Sequence, residues 1–351
     1  MLLLFPVLAA FAAPTEVAKV PHAHVQRPVW SPQGTMLSFE ANFHDDKRIE
    51  LHVGRPEPDG FAKVELGARA GGALLEGFAT TDTAGRVMHE LAWAPHAAGV
   101  YAFVASNERR DYDLYISEGV PLAPAPGADG GPVWSPDGRY LAFTSARTGQ
   151  GDLYLLDIQQ IDQPPRQLTS DPTHSELFAT WSADSQSIVY VGHAEQGDHL
   201  WLLPSLEAEA VELTSWSGLQ IRPRFAPSGR MVAFYANQED PERFDLYVME
   251  ASVGATAVKL ADGVVVDSKG PSWAPDGQRI VYVADDDAAY DPIRVVSASG
   301  GTPRTLDLGT VGHGDLDLVT RGGSTWLAFV AQGREGDLTR DFKRLYVTPL
   351  P

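Results

Sequence analysis

The stretch that decides the fold is Trp134-Ser-Pro-Asp-Gly138, followed by Tyr140-Leu-Ala-Phe143 and then by Asp152-Leu-Tyr-Leu155. Pro136 has the fixed φ that suits the second position of a β-turn, and Gly138 closes that turn, so the chain reverses direction before an apolar segment. Alternation of apolar residues in the two later segments predicts β-strands. The unit is therefore a turn followed by short antiparallel strands.

The same unit recurs along nearly the whole chain. Its anchor is an aromatic residue, and successive anchors are 41 to 63 residues apart. The anchors are Trp30, Trp93, Trp134, Trp181, Phe225 and Trp273, with a degenerate seventh copy near Val319. A period of this length is typical of arrays of small supersecondary units. We predict that the anchor side chains pack between adjacent units rather than bind ligands.

The number of strands predicts how the array closes. Seven strands of the first type and seven of the second follow the anchors, but only six weaker final strands are present. A lone strand, Glu16-Val-Ala-Lys-Val20, precedes the first anchor and supplies the missing one. Ring closure of this kind removes exposed sheet edges. We therefore predict an all-β fold over residues 13–351: a seven-bladed β-propeller of four-stranded blades, closed by the N-terminal strand.

Two segments lie outside the repeat. Residues 1–12 are mostly apolar and end in Ala10-Phe11-Ala12, a pattern typical of a signal-peptide cleavage site. The apolar run is too short to span a bilayer. We predict a signal peptide over residues 1–12 and a periplasmic or secreted protein with no membrane span; a buried N-terminal strand is the alternative. Residues 67–86 are predicted to be an inserted loop between blades 1 and 2.

Composition excludes several classes of function. The chain has 46 acidic and 27 basic residues, which gives a formal net charge of −19. This charge repels nucleic-acid backbones, so we expect no nucleic-acid partner. Cysteine is absent, which excludes disulfides, thiolate metal sites and cysteine nucleophiles. We expect the protein to be a monomer.

The order of the motifs resembles the TolB-type (PD40, "WD40-like") propeller repeat, most clearly over residues 134–157, 225–250 and 273–297. The resemblance covers nearly the whole predicted mature chain and implies the propeller fold. It implies no single function, because such repeats occur in TolB, in prolyl-oligopeptidase-like peptidases and in oligogalacturonate lyases. No G-x-S-x-G motif is present, so we expect no peptidase activity. Because the repeats begin by Trp30, we expect no counterpart of the separate N-terminal domain of TolB.

Candidate ligand-binding residues lie mostly five to seven positions before the anchors, where the first strand of each blade begins at one mouth of the channel. Imidazole and carboxylate groups together suit Mn²⁺ or Zn²⁺, and the resemblance to oligogalacturonate lyases implies a metal held by His and Gln. The predicted metal ligands are His24, His174, Gln220 and His313. The predicted binding residues at the same mouth are Asp129, Glu176, Arg222, Asp267, Lys269 and Asp315. The alternative is a hydrated polar funnel with no fixed ligand.

Two functions remain open at this point. The first is an exported, non-enzymatic binding or scaffold module for an envelope protein or glycan. The second is a metal-dependent, oligogalacturonate-type polysaccharide lyase, in which a metal neutralises a uronate carboxylate while a base removes the neighbouring proton. The net charge of −19 disfavours the polyanionic substrate that the second function requires.

Overall fold

The structure, a computed structural model, describes residues 13–43, 48–57, 60–63, 87–106, 111–117, 119–195, 197–286, 291–334 and 342–350. The predicted signal peptide and the predicted insertion at 67–86 lie outside the described residues. Nearly all regular structure in these ranges is β-strand, with one 3-10 turn at Ile158–Gln160. None of the helical structure described is long and apolar enough to cross a membrane.

The strands form seven four-stranded antiparallel sheets, each of which is one blade. Blade 1 consists of His24–Trp30, Leu37–Phe43, Arg48–Glu57 and Gly60–Lys63. Blade 2 consists of Met88–Trp93, Tyr101–Ser106, Tyr112–Ile116 and Pro121–Leu122. Blade 3 consists of Asp129–Trp134, Tyr140–Ser145, Asp152–Asp157 and Arg166–Gln167. Blade 4 consists of Ser175–Trp181, Ile188–Ala194, Gly197–Leu203 and Val211–Glu212.

The remaining blades follow the same order from the inner to the outer strand. Blade 5 consists of Gln220–Phe225, Met231–Asp240, Arg243–Glu250 and Val258–Val264. Blade 6 consists of Ser272–Trp273, Arg279–Val283, Ile293–Ser297 and Arg304–Thr305. Blade 7 consists of Leu316–Arg321, Ser324–Ala331, Arg344–Pro349 and Thr15–Ala18. A two-stranded ribbon, Thr310–Val311 with Gly333–Arg334, is added beside blade 7.

The N-terminal strand completes the last blade, as predicted. Thr15 pairs with Val347 and Glu16 pairs with Tyr346 in an antiparallel ladder. Val17 is 3% exposed and packs in one apolar cluster with residues of blades 1 and 7. The predicted all-β, seven-bladed propeller of four-stranded blades is therefore confirmed, including its closure by the N-terminal strand.

The turn in the deciding stretch also has the predicted form. The amide of Gly138 donates to the Ser135 carbonyl at 2.8 Å, and Gly138 has a φ of +73°, in the left-handed region that favours glycine. The Asp137 carboxylate accepts hydrogen bonds from the Ser135 hydroxyl at 2.5 Å and from the Arg139 amide at 3.0 Å. The turn is thus held by its own side chains before the second strand begins.

The anchor tryptophans join neighbouring blades by a repeated hydrogen bond. In four blades the indole N–H donates to a main-chain carbonyl directly before the anchor of the preceding blade. These bonds run from Trp93 to Val29 (3.1 Å), Trp134 to Ala92 (3.0 Å), Trp181 to Val133 (3.2 Å) and Trp273 to Arg224 (2.9 Å). The predicted packing between blades is confirmed. Among the described residues the buried indole N–H of Trp30 has no hydrogen-bond partner.

This difference gives a matched test of the inter-blade bond. Trp134→Phe and Trp30→Phe remove the same atoms, but only Trp134→Phe leaves a carbonyl without its donor. We expect Trp134→Phe to lower the free energy of unfolding by about 1 kcal/mol more than Trp30→Phe. Urea denaturation of both variants measures the difference. Equal losses would show that the indole bond adds nothing beyond packing.

Candidate functional site

The inner strands surround a central channel of about 810 Å³, which is lined by residues of six blades and by Ser268 and Lys269 of the segment that leads into blade 6. Its basic lining residues are Arg27, Arg222, Arg224 and Lys269, and its acidic ones are Glu40, Glu90, Asp129 and Asp317. The formal charges in the lining therefore balance, although the whole chain carries −19. The channel is much less acidic than the protein around it.

A repeated β-bulge shapes this lining. In blades 1 to 5 the register between the inner and second strands shifts just before the anchor. The residue three positions before the anchor has a positive φ in blades 1 to 6. These residues are Arg27, Glu90, Gly131, Phe178, Arg222 and Gly270. Four of the six are not glycine, so each of those four holds a backbone conformation that costs about 1 kcal/mol or more.

On one side of the channel, basic and acidic groups neutralise each other. Arg27 contacts Glu40 at 3.5 Å and Glu90 at 3.6 Å. Burial alone would raise the pKa of Glu90, but the hydrogen bond and charge of His89, the charge of Arg27 and the Gly131 amide together lower this pKa to about 2. Glu40, 2% exposed, accepts the Glu90 amide at 2.9 Å. Each of these carboxylates therefore accepts a hydrogen bond from the next blade: Glu40 from the Glu90 amide, and Glu90 from the Gly131 amide.

The opposite side is organised around Arg222. Its guanidinium carbon lies 3.8 Å from the centroid of the Phe178 ring, and one of its N–H groups donates to the Ser268 carbonyl at 2.7 Å. Burial lowers the pKa of Arg222, and the charge of Arg27 acts in the same direction. Lys269 forms an ion pair with Asp317. This side therefore presents positive charge next to an aromatic ring.

Asp315, Asp267 and Asp129 lie where the sequence predicted, near the start of the inner strands. Asp315 accepts hydrogen bonds from the Ser268 amide (2.9 Å) and hydroxyl (2.7 Å), and from the Arg27 amide (2.7 Å), so it links blades 6, 7 and 1. Burial and the charge of Asp315 raise the pKa of Asp267 to about 7. Burial raises the pKa of Asp129 to about 6, although Arg147 contacts it at 3.2 Å.

A second cavity, of about 280 Å³, opens beside the channel between blades 6, 7 and 1. It brings together His24, Asp267, Asp315 and Lys343 from the predicted mouth and its surroundings. The His24 ring lies 5.1 Å from the Phe342 ring, and its Nδ1 atom accepts the Lys343 amide at 3.3 Å. Three of the predicted site residues thus share one cavity.

The other predicted metal ligands engage partners of their own. Gln220 is fully buried and hydrogen bonds Thr214 at 3.1 Å. His313 lies between the Asp291 carbonyl (2.6 Å) and the Thr310 hydroxyl (2.9 Å), and burial lowers its pKa. Within the described ranges, no three His, Cys, Asp or Glu side chains form a group that could hold a metal ion. The metal at His24, His174, Gln220 and His313 stays a prediction.

His174 and Glu176 form a separate buried pair inside blade 4. The Nε2 atom of His174 lies 3.8 Å from Glu176 Oε1, and the His174 ring stacks on Trp201 at 5.0 Å. Gly192 permits this packing, because a Cβ there would lie 2.5 Å from the His174 ring. Neither carboxyl oxygen of Glu176 has a hydrogen-bond partner in the described part of the chain, and burial raises its pKa to about 8.

The sequence interpretation missed most of the channel lining. It included Asp129, Arg222 and Lys269 but not Arg27, Glu40, Glu90, Phe178, Arg224 or Asp317. A signal was present: the bulge residue stands three positions before the anchor, and proline follows it in four copies. These prolines are Pro28, Pro132, Pro223 and Pro271. Proline lacks the N–H that a regular ladder needs, so its recurrence marks the bulge.

Part of the chain matches a known family of propeller repeats. Residues 173–333 match the family model of the TolB beta propeller domain, PD40. Over these residues the chain is similar to TolB-type propeller repeats. The match begins before blade 4 and ends in the strand that follows Ser324–Ala331 of blade 7. The resemblance inferred from the W-S-P-D-G motif is thereby confirmed.

The curated relatives align with parts of the chain. A "Protein TolB homolog" of Chlorobium chlorochromatii is 32% identical over 108 residues, 29% of this chain and 22% of the relative. "Uncharacterized protein Atu1656" of Agrobacterium fabrum is 24% identical over 181 residues, 49% of this chain and 59% of the relative. The chain therefore spans less than two thirds of the length of these relatives.

The fold also matches a solved structure over nearly its full length. The β-propeller domain of the Trilobed protease from Pyrococcus furiosus superposes with a TM-score of 0.62 at 10% identity, covering 93% of this chain and 96% of that domain. That domain is described as having an open velcro topology, whereas the present chain pairs Thr15–Ala18 with Arg344–Pro349. At this identity the similarity supports the fold alone.

Proposed function

We propose that this protein is a non-enzymatic binding module of the cell envelope, and that a partner protein inserts an extended segment into the central channel. The observation that carries the proposal is the channel of about 810 Å³ with its ring of strained bulge residues. Strain of this kind persists where the position of a side chain matters for function. The channel volume is also within the range typical of ligand sites.

The proposed location rests on two further points. Residues 1–12 predict a signal peptide, and one curated relative is named a TolB homolog. Both favour a periplasmic or secreted protein. We also propose that the protein is a monomer, because the N-terminal strand pairs with the last strand of its own chain.

A glycan ligand and a metal-dependent lyase are the other functions that the sequence left open. The lyase needs a metal and a positively charged surface for a polyuronate. The predicted ligands Gln220 and His313 instead form hydrogen bonds to their own neighbours. Most basic groups of the channel are neutralised or stacked. No observation in the described ranges favours the reaction over binding.

Blocking the channel is the direct test. Because the chain contains no cysteine, Ala179→Cys creates one labelling site in the channel lining. We expect a bulky maleimide at this position to lower the recovery of the partner from an envelope extract by about tenfold. Quantitative mass spectrometry of the retained proteins measures the loss.

The matched control is Val253→Cys carrying the same maleimide. Val253 is 69% exposed and follows the third strand of blade 5, away from the channel. Its label is expected to leave the set of retained proteins unchanged. If both labelled variants retain the same proteins as the unlabelled chain, no partner uses the channel and the proposal fails.

A further inference from the structure

Two basic groups of the channel have no carboxylate partner. Arg27 is paired with Glu40 and Glu90, and Lys269 is paired with Asp317. Neither Arg222 nor Arg224 forms an ion pair within the described ranges, although both line the channel. Buried or half-buried cations usually have an opposite charge close by. Blade 5 therefore places in the cavity two positive groups that no carboxylate contacts directly in the described part of the chain.

The contacts of Arg222 fix its guanidinium and leave donors free. The Phe178 ring covers one face at 3.8 Å, and the Ser268 carbonyl takes one N–H at 2.7 Å. A guanidinium has five N–H donors in a planar fork. Both Arg222 and Phe178 are held at left-handed positions, with φ of 54° and 55°. The group is thus oriented before any ligand arrives, which reduces the entropy lost on binding.

We propose that the channel binds one carboxylate group of an extended peptide through Arg222, with Arg224 adding charge and Phe178 supporting the guanidinium. The planar fork of arginine matches a carboxylate in two-point contact. This inference rests on the proposed function, because it names the chemical group that the channel recognises.

The surroundings favour a singly charged group. Asp267, Glu90 and Asp315 are close enough to raise the pKa of Arg222 by their charges. The same negative charges repel an incoming anion, and the repulsion doubles for a dianion such as phosphate. Leu177 and Leu318 also line the channel and offer apolar contacts for side chains next to the carboxylate. A peptide provides both features.

The experiment compares three small peptides by ligand-observed NMR titration of the full-length protein. N-acetyl-Ala-Ala presents a C-terminal carboxylate, N-acetyl-Ala-Asp-amide presents a side-chain carboxylate, and N-acetyl-Ala-Ala-amide presents neither. We expect at least one of the acids to bind about tenfold more tightly than the neutral amide. A hydrogen bond between charged groups changes a binding constant by about this factor. The acid that binds more tightly identifies the source of the carboxylate.

Variants then assign the effect to the channel. Arg222→Gln is expected to remove the roughly tenfold preference for the acid, and Arg222→Lys, which keeps the charge but not the fork, to retain only part of it. Arg166→Gln makes the same substitution on the outer strand of blade 3, where Arg166 contacts Glu207 at 2.7 Å. It is expected to leave the preference intact. Thermal melting of each variant confirms that the ring is folded.

Several outcomes would overturn the inference. The inference fails if the acids and the amide bind equally, or if Arg166→Gln weakens binding as much as Arg222→Gln does. Tighter binding of inorganic phosphate or of a galacturonate dimer than of either acid would also reject the peptide carboxylate. If the channel label at Ala179→Cys abolishes partner capture while no acid is preferred, the proposed function stands and this inference alone fails.

Discussion

Val17→Asp is expected to lower the free energy of unfolding by about 3 kcal/mol or more, because it places a charge in a closed apolar cluster. Val17 is 3% exposed and packs with Val25, Trp30 and Val347. The N-terminal strand can return the new carboxylate to water only by detaching from blade 7, which breaks its ladder with Arg344–Pro349. The loss in free energy of unfolding therefore cannot exceed the free energy that pairing of the N-terminal strand contributes to folding. Urea denaturation measures it.

Val253→Asp is the matched control, since Val253 is 69% exposed. We expect it to change stability by less than about 0.5 kcal/mol. A chain that begins at Pro21 lacks the closing strand altogether, and a synthetic peptide of residues 13–20 should raise its melting temperature. The same peptide with Asp at position 17 should not. Equal stability of Val17→Asp and the parent chain would show that closure by the N-terminal strand does not stabilise the ring.

The fold was predictable because its information is local and repeated. Five of the seven copies contain a turn with a proline that fixes φ, as at Pro136, and every copy has alternating strands that bury both faces between blades. Phe39, Phe143 and Phe234 occupy equivalent second-strand positions and are at most 1% exposed. The closing strand was predictable from a count, since the final strand of blade 7 was missing and Glu16-Val-Ala-Lys-Val20 was unassigned.

The site was less predictable because it depends on backbone conformations that differ from regular strands. A period-2 pattern assumes that alternate side chains face the same side. In blades 1 to 5 the bulge breaks this rule three residues before the anchor, so Arg27 and Phe178 line the channel where regular alternation assigns no site residue. Ion pairs such as Arg27 with Glu90 join residues of different blades. Their distances follow from ring geometry, which sequence spacing does not specify.

His174 and Glu176 show the same limit in another way. Their positions seven and five residues before the anchor Trp181 suggested a place at the channel mouth with the other histidines. In the structure both side chains are buried, and the His174 ring packs against Trp201 and Gly192. The spacing predicted how far along the inner strand these residues lie, but it did not predict the direction in which their side chains point.

This burial leads to a large expected pH effect. Burial, reinforced by the charges of Asp152 and Asp171, raises the pKa of Glu176 from 4.5 to about 8. Between pH 4.5 and pH 8 the Glu176 carboxyl is therefore ionised in the unfolded chain but still protonated in the folded protein. Folding stability must fall as the pH rises through this window and level off above it. Between pH 5 and pH 8 the contribution of this one group is about 3 kcal/mol.

Glu176→Gln removes the ionisation and keeps the size of the side chain. Asp129 and Asp267 have raised pKa values as well, so the parent chain loses stability with pH for several reasons, and only the difference between parent and variant isolates Glu176. We expect the two proteins to have similar stability at pH 5 and the variant to be more stable by about 3 kcal/mol at pH 8. Glu209→Gln, at an exposed position, should follow the parent at every pH. Parallel curves for Glu176→Gln and the parent would mean that Glu176 ionises in the folded protein as it does in water, and that a cation or a chain of water molecules reaches blade 4 to compensate it.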